Sequence, residues 1–172
     1  MTPGAPRDCP CFSGFRYAVC CAPRHSGARP AETPESLMRS RFAAFALGLG
    51  EYLARTLSET HADHAMPRDA LVRELSRARE RQRFLGLRVM HAATNGDQGE
   101  VLFFARVFER GADRSFAELS RFMREDQRSD DGAGRPWRYC DGVLVPAAKL
   151  PANVAAMTRE AFLLLAQPKA IL

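Results

Sequence analysis

The chain has 172 residues, 46% of them hydrophobic, and a formal net charge of +5, enough for one domain with a buried core and at most a small appendage. Its longest strongly apolar run, Phe162-Leu163-Leu164-Leu165-Ala166, is far too short to cross a bilayer, and Met1 to Arg7 lacks the apolar stretch of a signal peptide. The expectation is a soluble, cytoplasmic protein with no membrane partner, whose arginine-rich surface is compatible with RNA contact without demanding it.

Residues 1–8, with Pro3, Gly4 and Pro6, read as disordered. The next thirteen hold four of the chain's five cysteines, Cys9, Cys11, Cys20 and Cys21, spaced as C-x-C, eight residues, then C-C. Each pair can clasp one side of a metal ion while Ser13-Gly14 turns the chain between them. Four thiolates satisfy tetrahedral zinc completely and leave no open position for a substrate. Adjacent Cys20 and Cys21 could not both bridge Cys9 and Cys11 without strain, and disulfides rarely persist in a reducing compartment. The plainer alternative is surface or reactive thiols without metal. Bound zinc would lower the net charge by 2, from +5 to about +3.

Ala22 to Ala31 carries Pro23, Gly27 and Pro30 and reads as an extended connector. A helix then starts after Thr33, which can cap it, with Pro34 and Glu35 suited to its first turn. Met38, Phe42, Phe45, Leu49 and Tyr52 recur at helical spacing, while Gly48 and Gly50 predict a kink or an early stop. His61 to Pro67 is a loop, and a second helix spans Arg68 to about Arg83 with Leu71, Leu75 and Ala78 inward. From Phe84 the pattern becomes strand-like: Leu85 to Val89, Val101 to Phe108, Phe116 to Arg124 and Trp137 to Val145 make a four-stranded antiparallel meander. Asn95 to Gly99 and Gly111 to Asp113 supply turns, and Asp126 to Pro136 is a polar, Gly-rich loop. A last helix runs from about Asn153 to Gln167. Helices followed by strands make an α+β order.

Arg39 and Arg41, two apart on a helix, point in different directions, so one of them can flank a pocket. Arg106 shares a strand face with Leu102, Phe104 and Phe108, where an unpaired charge is costly; pairing with Glu118 would answer that cost. Such a pair would be either a structural ion pair or the polar floor of a pocket for an anionic ligand. Glu118, Tyr139, Asp141 and His91 are the groups available for acid–base chemistry, though Asp141 before Gly142 suits a turn and His91 suits a solvated strand end. His61 and His64 lack further ligands nearby. Arg73, Arg77 and Arg81 form a helical stripe that reads as a solvated face, with rRNA or an acidic partner as the functional alternative.

The run Cys9-Pro10-Cys11-Phe12-Ser13-Gly14-Phe15-Arg16-Tyr17-Ala18-Val19-Cys20-Cys21 resembles the SEC-C motif, the zinc knuckle at the C-terminus of the SecA translocation ATPase. The motif's ligands fall on Cys9, Cys11, Cys20 and Cys21; Phe12 stands where the motif usually has glycine. Pro23, His25 and Gly27, then Ala31 to Phe45 with its Leu37-Met38-Arg39-Ser40-Arg41-Phe42 helix, Glu118 to Glu125, and Trp137-x-Tyr139-x-Asp141-Gly142 are similar to the YchJ family. That resemblance implies a knuckle over 9–27, a cone-shaped α+β domain of the nuclear transport factor 2-like (cystatin-like) fold over 32–146, and here a helical extension over 147–172. Many members carry a second knuckle at the C-terminus, which this chain lacks. The resemblance implies zinc as cofactor and a protein-docking role, with a chaperone or the ribosome as partner by analogy with SecA. The rival expectation is an enzyme or small-ligand binder whose cone pocket is formed by Arg39, Arg106, Glu118, Ser120, Trp137, Tyr139 and Asp141; catalysis is the less favoured outcome, and no catalytic residue is assigned.

Overall fold

The computed structural model describes residues 6–126 and 134–167. The expected loop over 126–136 and the expected disorder over 1–8 therefore fall largely outside the described residues. What is described of the N-terminus corrects that expectation. Asp8 forms an antiparallel bridge with Arg16, and the carbonyl of Arg7 accepts from the Tyr17 amide at 3.1 Å. The chain before Cys9 is thus part of the knuckle.

The expected extended connector is partly helical. Helix α1 spans Ala22–Ser26, with a proline in its first turn and Gly27 closing it at φ 84°; proline loses nothing there, because the first amides of a helix have no internal partner. Helix α2, Pro34–Leu47, starts in a capping box: Thr33 accepts from the Ser36 amide and Ser36 accepts from the Thr33 amide, both at 3.1 Å. Gly48 ends it at φ 70°, and α3, Gly50–Arg55, restarts the chain in a new direction. The break lies at Gly48 because glycine enters the left-handed region without a Cβ penalty. Gly50 serves a different need, since a Cβ there would overlap the Val72 carbonyl and the Ser76 hydroxyl of the facing helix. That helix, α4, covers Arg68–Arg81 and passes directly into the sheet.

Five antiparallel strands follow: β1 Gln82–Asn95, β2 Gln98–Glu109, β3 Ala112–Asp113, β4 Phe116–Arg124 and β5 Trp137–Pro146. Their spatial order is β1-β2-β4-β5, with short β3 paired to β2. The meander expected from the strand pattern is present, with β3 as the added piece. It arises because Arg110 and Gly111 both have positive φ, 50° and 82°, the backbone demanded by a two-residue hairpin turn. Phe103 lies opposite Glu118, so odd positions of β2 share a sheet face with even positions of β4.

Each face has its own core. Val101, Phe103, Ala105 and Val107 turn to one side and pack with Leu37, Met38, Phe42, Tyr52 and Leu53 of α2 and α3. Leu102, Ala117, Leu119 and Val145 turn to the other and pack with Met157 and Phe162. Burying a side chain of this size stabilises by roughly 1.5–3 kcal/mol before entropy. The last helix, α5, spans Arg159–Ala166, with Thr158 accepting from the Ala161 amide at 3.2 Å. It is shorter than the expected 153–167, because Thr158 sets the start and Val154–Ala156 is a separate 3-10 turn. No helix among the described residues is long and apolar enough to cross a membrane.

Candidate functional site

Two places concentrate chemistry. The first is the knuckle. The Sγ atoms of Cys9, Cys11, Cys20 and Cys21 all lie within 4.8 Å of one another, with Cys11 to Cys20 at 3.6 Å and Cys20 to Cys21 at 3.9 Å. Four thiolates around one zinc at the usual bond length would stand about 3.8 Å apart, so the donor set fits a tetrahedral metal ion. Cys9, Cys11 and Cys21 are buried and Cys20 is half-buried. Such an ion would act as a cross-link; with four sulfurs in place no coordination site is left for chemistry.

Without a metal charge, the same crowding forces the sulfurs to share protons. Hydrogen bonds from Cys21 and Cys9 hold the Cys11 thiol far below its ordinary value. Donating to Cys11 pushes Cys9 up to about 12 and Cys21 far higher. A dication removes this competition by stabilising all four thiolates together. The surroundings suit an anionic centre. The Ser13 hydroxyl lies 3.2 Å from the Cys20 sulfur, and Arg24 and Arg39 donate to the Cys20 and Cys11 carbonyls at 2.6 and 3.2 Å. Phe12, at the usual glycine position, adopts φ 57°, so the turn keeps the backbone that glycine favours. Its ring meets Phe42 of α2 edge-on at 6.2 Å.

The knuckle is docked on the cone domain as well as joined to it. Cys9, Cys11 and Cys21 pack on Ala43 of α2. His25 stands between Tyr17 and α2, with Nδ1 2.8 Å from the Tyr17 hydroxyl and Nε2 2.8 Å from the Ser40 carbonyl. A carbonyl can only accept, so Nε2 carries the proton and Nδ1 takes the Tyr17 hydrogen. The Tyr52 ring lies 4.7 Å from the His25 ring, and the Tyr52 and Ser40 hydroxyls meet at 2.6 Å. Burial pushes the His25 pKa down, which keeps the neutral tautomer the network needs.

The second place is a cavity of about 330 Å³ between α2 and the inner sheet face. Of the residues expected there, Glu118, Ser120 and Tyr139 line it, and the other four do not. Arg39 bonds Glu35 and the knuckle instead. Trp137 is buried, donates to the Glu32 carbonyl at 3.2 Å and stacks under Arg124. Asp141 forms an exposed ion pair with Arg121, whose hydrogen bond holds the Asp141 carboxyl below its usual value. Arg106 is exposed. The strand register places it on the face opposite Glu118, which rules out the expected Arg106–Glu118 pair. Like-numbered parity on two strands says nothing about a shared face until the register between them is known.

Glu118 Oε1 accepts from the Ser120 and Tyr139 hydroxyls at 2.6 and 3.0 Å. The carboxylate lies against Gly142, where any Cβ would overlap it. Burial, then the Glu118 charge, pushes the Tyr139 phenol up. The arginine of this cavity is Arg41, at 7% exposure. It donates from Nη1 to the Leu53 carbonyl at 2.7 Å and to Thr56 Oγ1 at 2.6 Å, and its guanidinium lies 4.8 Å over the Tyr139 ring. Burial pushes its pKa down. The sequence carried a signal for it: Arg41 falls between Met38 and Phe45 on the apolar stripe of α2.

The remaining candidates resolve into structural parts. His64 donates to the Ser58 carbonyl at 3.0 Å, and His61 accepts from the Asp63 amide at 3.2 Å; both shape a 3-10 turn. His91 is not simply solvated, since it joins Glu100 at 3.3 Å, and Glu100 in turn pairs with Arg159 of α5. Arg73, Arg77 and Arg81 are exposed, as a solvated stripe requires, and Arg81 pairs with Glu74 at 2.7 Å.

Known proteins resemble this chain in sequence and fold. The family model described as "YchJ, middle NTF2-like domain" matches residues 33–142. A UPF0225 protein of Deinococcus radiodurans is 38% identical over 138 residues, covering 78% of this chain and 88% of that relative. UPF0225 protein YchJ of Shigella dysenteriae is 36% identical over 136 residues, covering 78% and 81%. The solution structure of a SEC-C motif containing protein from Rhodopseudomonas palustris matches with TM-score 0.63 and 35% identity, over 78% of this chain and 95% of that one. A SEC-C motif containing protein from Psychrobacter arcticus, 24% identical with TM-score 0.62 over 77% and 80%, shares the fold.

Proposed function

The chain belongs to the YchJ family, and we propose that within it the knuckle is a zinc-stabilised docking surface for a protein partner in the cytoplasm. The observation that carries this is what the knuckle leaves outside. Phe15 and Val19 are each 65% exposed and Phe12 48%, on a segment whose cysteines are turned inward. Apolar side chains held in water by a metal cross-link make a surface suited to association. Arg24, Arg29 and Arg39 line the groove beside Phe15 and Val19. Glu35 lines the same groove and pairs with Arg39 at 2.8 Å. Arg24 and Arg39 also offset the charge of the thiolate centre, so Arg24 and Arg29 are the groove's arginines without a carboxylate partner, among the described residues, beside the apolar strip. An apolar segment flanked by acidic residues complements it. The SEC-C likeness directs this reading to the machinery of protein export or translation, with a chaperone first and the ribosome second.

The test uses purified full-length protein with its metal content measured. Titration against the SecB chaperone, and separately against ribosomes, compares wild type with Phe15→Ser/Val19→Ser and with Cys20→Ser. One zinc per chain, binding to the chaperone, and loss of that binding in both variants is the expected result. Zinc well below one per chain, or binding that survives the paired Phe15 and Val19 change, would overturn it. Binding to ribosomes alone would assign the surface to translation and reject the chaperone.

A further inference from the structure

Arg41 is a buried cation with no direct ion-pair partner among the described residues; Glu118 and Asp63 line the same cavity and attract it only from a distance. Its Nη1 spends both protons on Leu53 and Thr56, but Nε and Nη2 have no hydrogen-bond partner among the described residues, and no carboxylate there comes within ion-pair reach. Nε and Nη2 are not sealed off but open to the cavity; holding a guanidinium there without a direct anion is still costly, and the Tyr139 face beneath it offsets that only in part. Glu118, the nearest acid of the same cavity, keeps one oxygen occupied by two hydroxyls and is seated on Gly142 rather than on Arg41. Asp63 and His61 also line the cavity, but the Asp63 side chain is half in water at 49% exposure. The Nε–Nη2 edge of arginine is a planar fork matched to the two oxygens of a carboxylate. Around it the walls are aromatic, with Phe42, Phe84, Phe103 and Phe116 among them.

We infer that the cone cavity binds a small organic carboxylate, held by the Nε–Nη2 edge of Arg41 with its apolar body against the phenylalanine walls. The volume of about 330 Å³ suits a ring with a short acidic chain. The site is a binding site, and no reaction is assigned to it. Nothing in it depends on the docking surface of the knuckle.

The experiment titrates the full-length, metal-loaded, isotope-labelled chain with 3-phenylpropionate, 3-phenylpropionamide and 3-phenylpropylamine, which share one body and differ in the head group. Saturable shifts at the amides of α2, β2 and β4 with the acid, and affinity weaker by about tenfold or more for the amide, are expected. Arg41→Lys keeps a cation but loses the fork and should weaken acid binding by about tenfold. Phe116→Trp narrows the cavity without touching Arg41, so it should abolish binding while the melting curve stays within a few degrees. It also decides the matter if Arg41→Lys does not fold. Equal affinity for acid and amide, preference for the amine, unchanged binding in folded Arg41→Lys, or no saturable acid binding would each overturn the inference.

Discussion

Residues 9–21 bury three cysteines around one centre and leave their large apolar side chains in water, whereas residues 34–146 close an apolar core over one face of a sheet and share a second with the C-terminal segment. The knuckle is too short to hold itself by burial alone, and its four clustered sulfurs are the place where a metal cross-link would supply the missing order. The cone domain is built instead around two apolar clusters, one on each sheet face. Between them lies a polar seam of Tyr17, His25, Ser40 and Tyr52, fully hydrogen-bonded, reinforced by Arg55 donating to the His25 carbonyl at 2.7 Å. A seam of this kind transmits rigidity only while both sides are folded, so metal loading should be felt on α2 as well as in the knuckle.

The strongest way to break the comparison is to remove the cross-link. Chelation or Cys21→Ser should release the metal and disorder residues 9–21, a loss on the order of the 10 kcal/mol that structural zinc supplies to short modules. Amide spectra should keep the dispersed sheet signals of β1 to β5. A sheet that melts with the knuckle would show that the domain is not self-sufficient. His25→Ala comes next, leaving the Tyr17 hydroxyl without its acceptor and the Ser40 carbonyl with only its helical bond, at a cost of about 1–3 kcal/mol. Two separated thermal transitions in place of one are expected, with the metal retained.

The same histidine gives the seam a pH dependence. Its folded pKa lies below the unfolded value of about 6.5 because burial disfavours the charged ring. The unfolded chain therefore takes up the proton first. The contribution of His25 is complete above the unfolded value and is lost as pH falls from there toward the folded one. Ring titration followed by NMR on the metal-loaded protein should give a midpoint below the unfolded value; a midpoint above it would contradict the neutral, doubly bonded ring.

Gly142→Ala addresses the domain alone. The new methyl displaces the Glu118 carboxylate from Ser120 and Tyr139, costing about 1–2 kcal/mol with no change in metal content. The smallest effect is expected from Arg121→Ala. It removes an ion pair whose partners are 69% and 50% exposed, and such pairs contribute less than about 1 kcal/mol. Urea melts of both variants check the order of the two.

Much of this was legible from residues in line. The cysteine spacing drew attention to the four-sulfur cluster, Thr33-Pro34-Glu35 marked the start of α2, and the runs between turns marked the strands. What could not be read was which side chains meet. Arg106 and Glu118 look like partners along their strands, but the register of β2 on β4 puts them on opposite faces. Arg39 and Arg41 are equivalent as letters; the knuckle occupies the side of α2 that Arg39 faces, which leaves Arg41 to the cavity. Trp137, an obvious candidate for a pocket, is consumed in packing. His25 was one letter of a family pattern until the knuckle folded back onto α2 and made it the hinge pin of the seam.

The sequence by itself determined the local matters: a four-sulfur cluster, capped and glycine-stopped helices, alternating strands. These depend on neighbours within a few residues, where backbone geometry and spacing decide the outcome. Only the tertiary structure decided that the knuckle docks on α2, that α5 covers the second sheet face, and that the cavity holds an arginine without a direct ion pair among the described residues. Those facts depend on strand register and on the packing of segments far apart in the chain, and no periodicity within one segment encodes them.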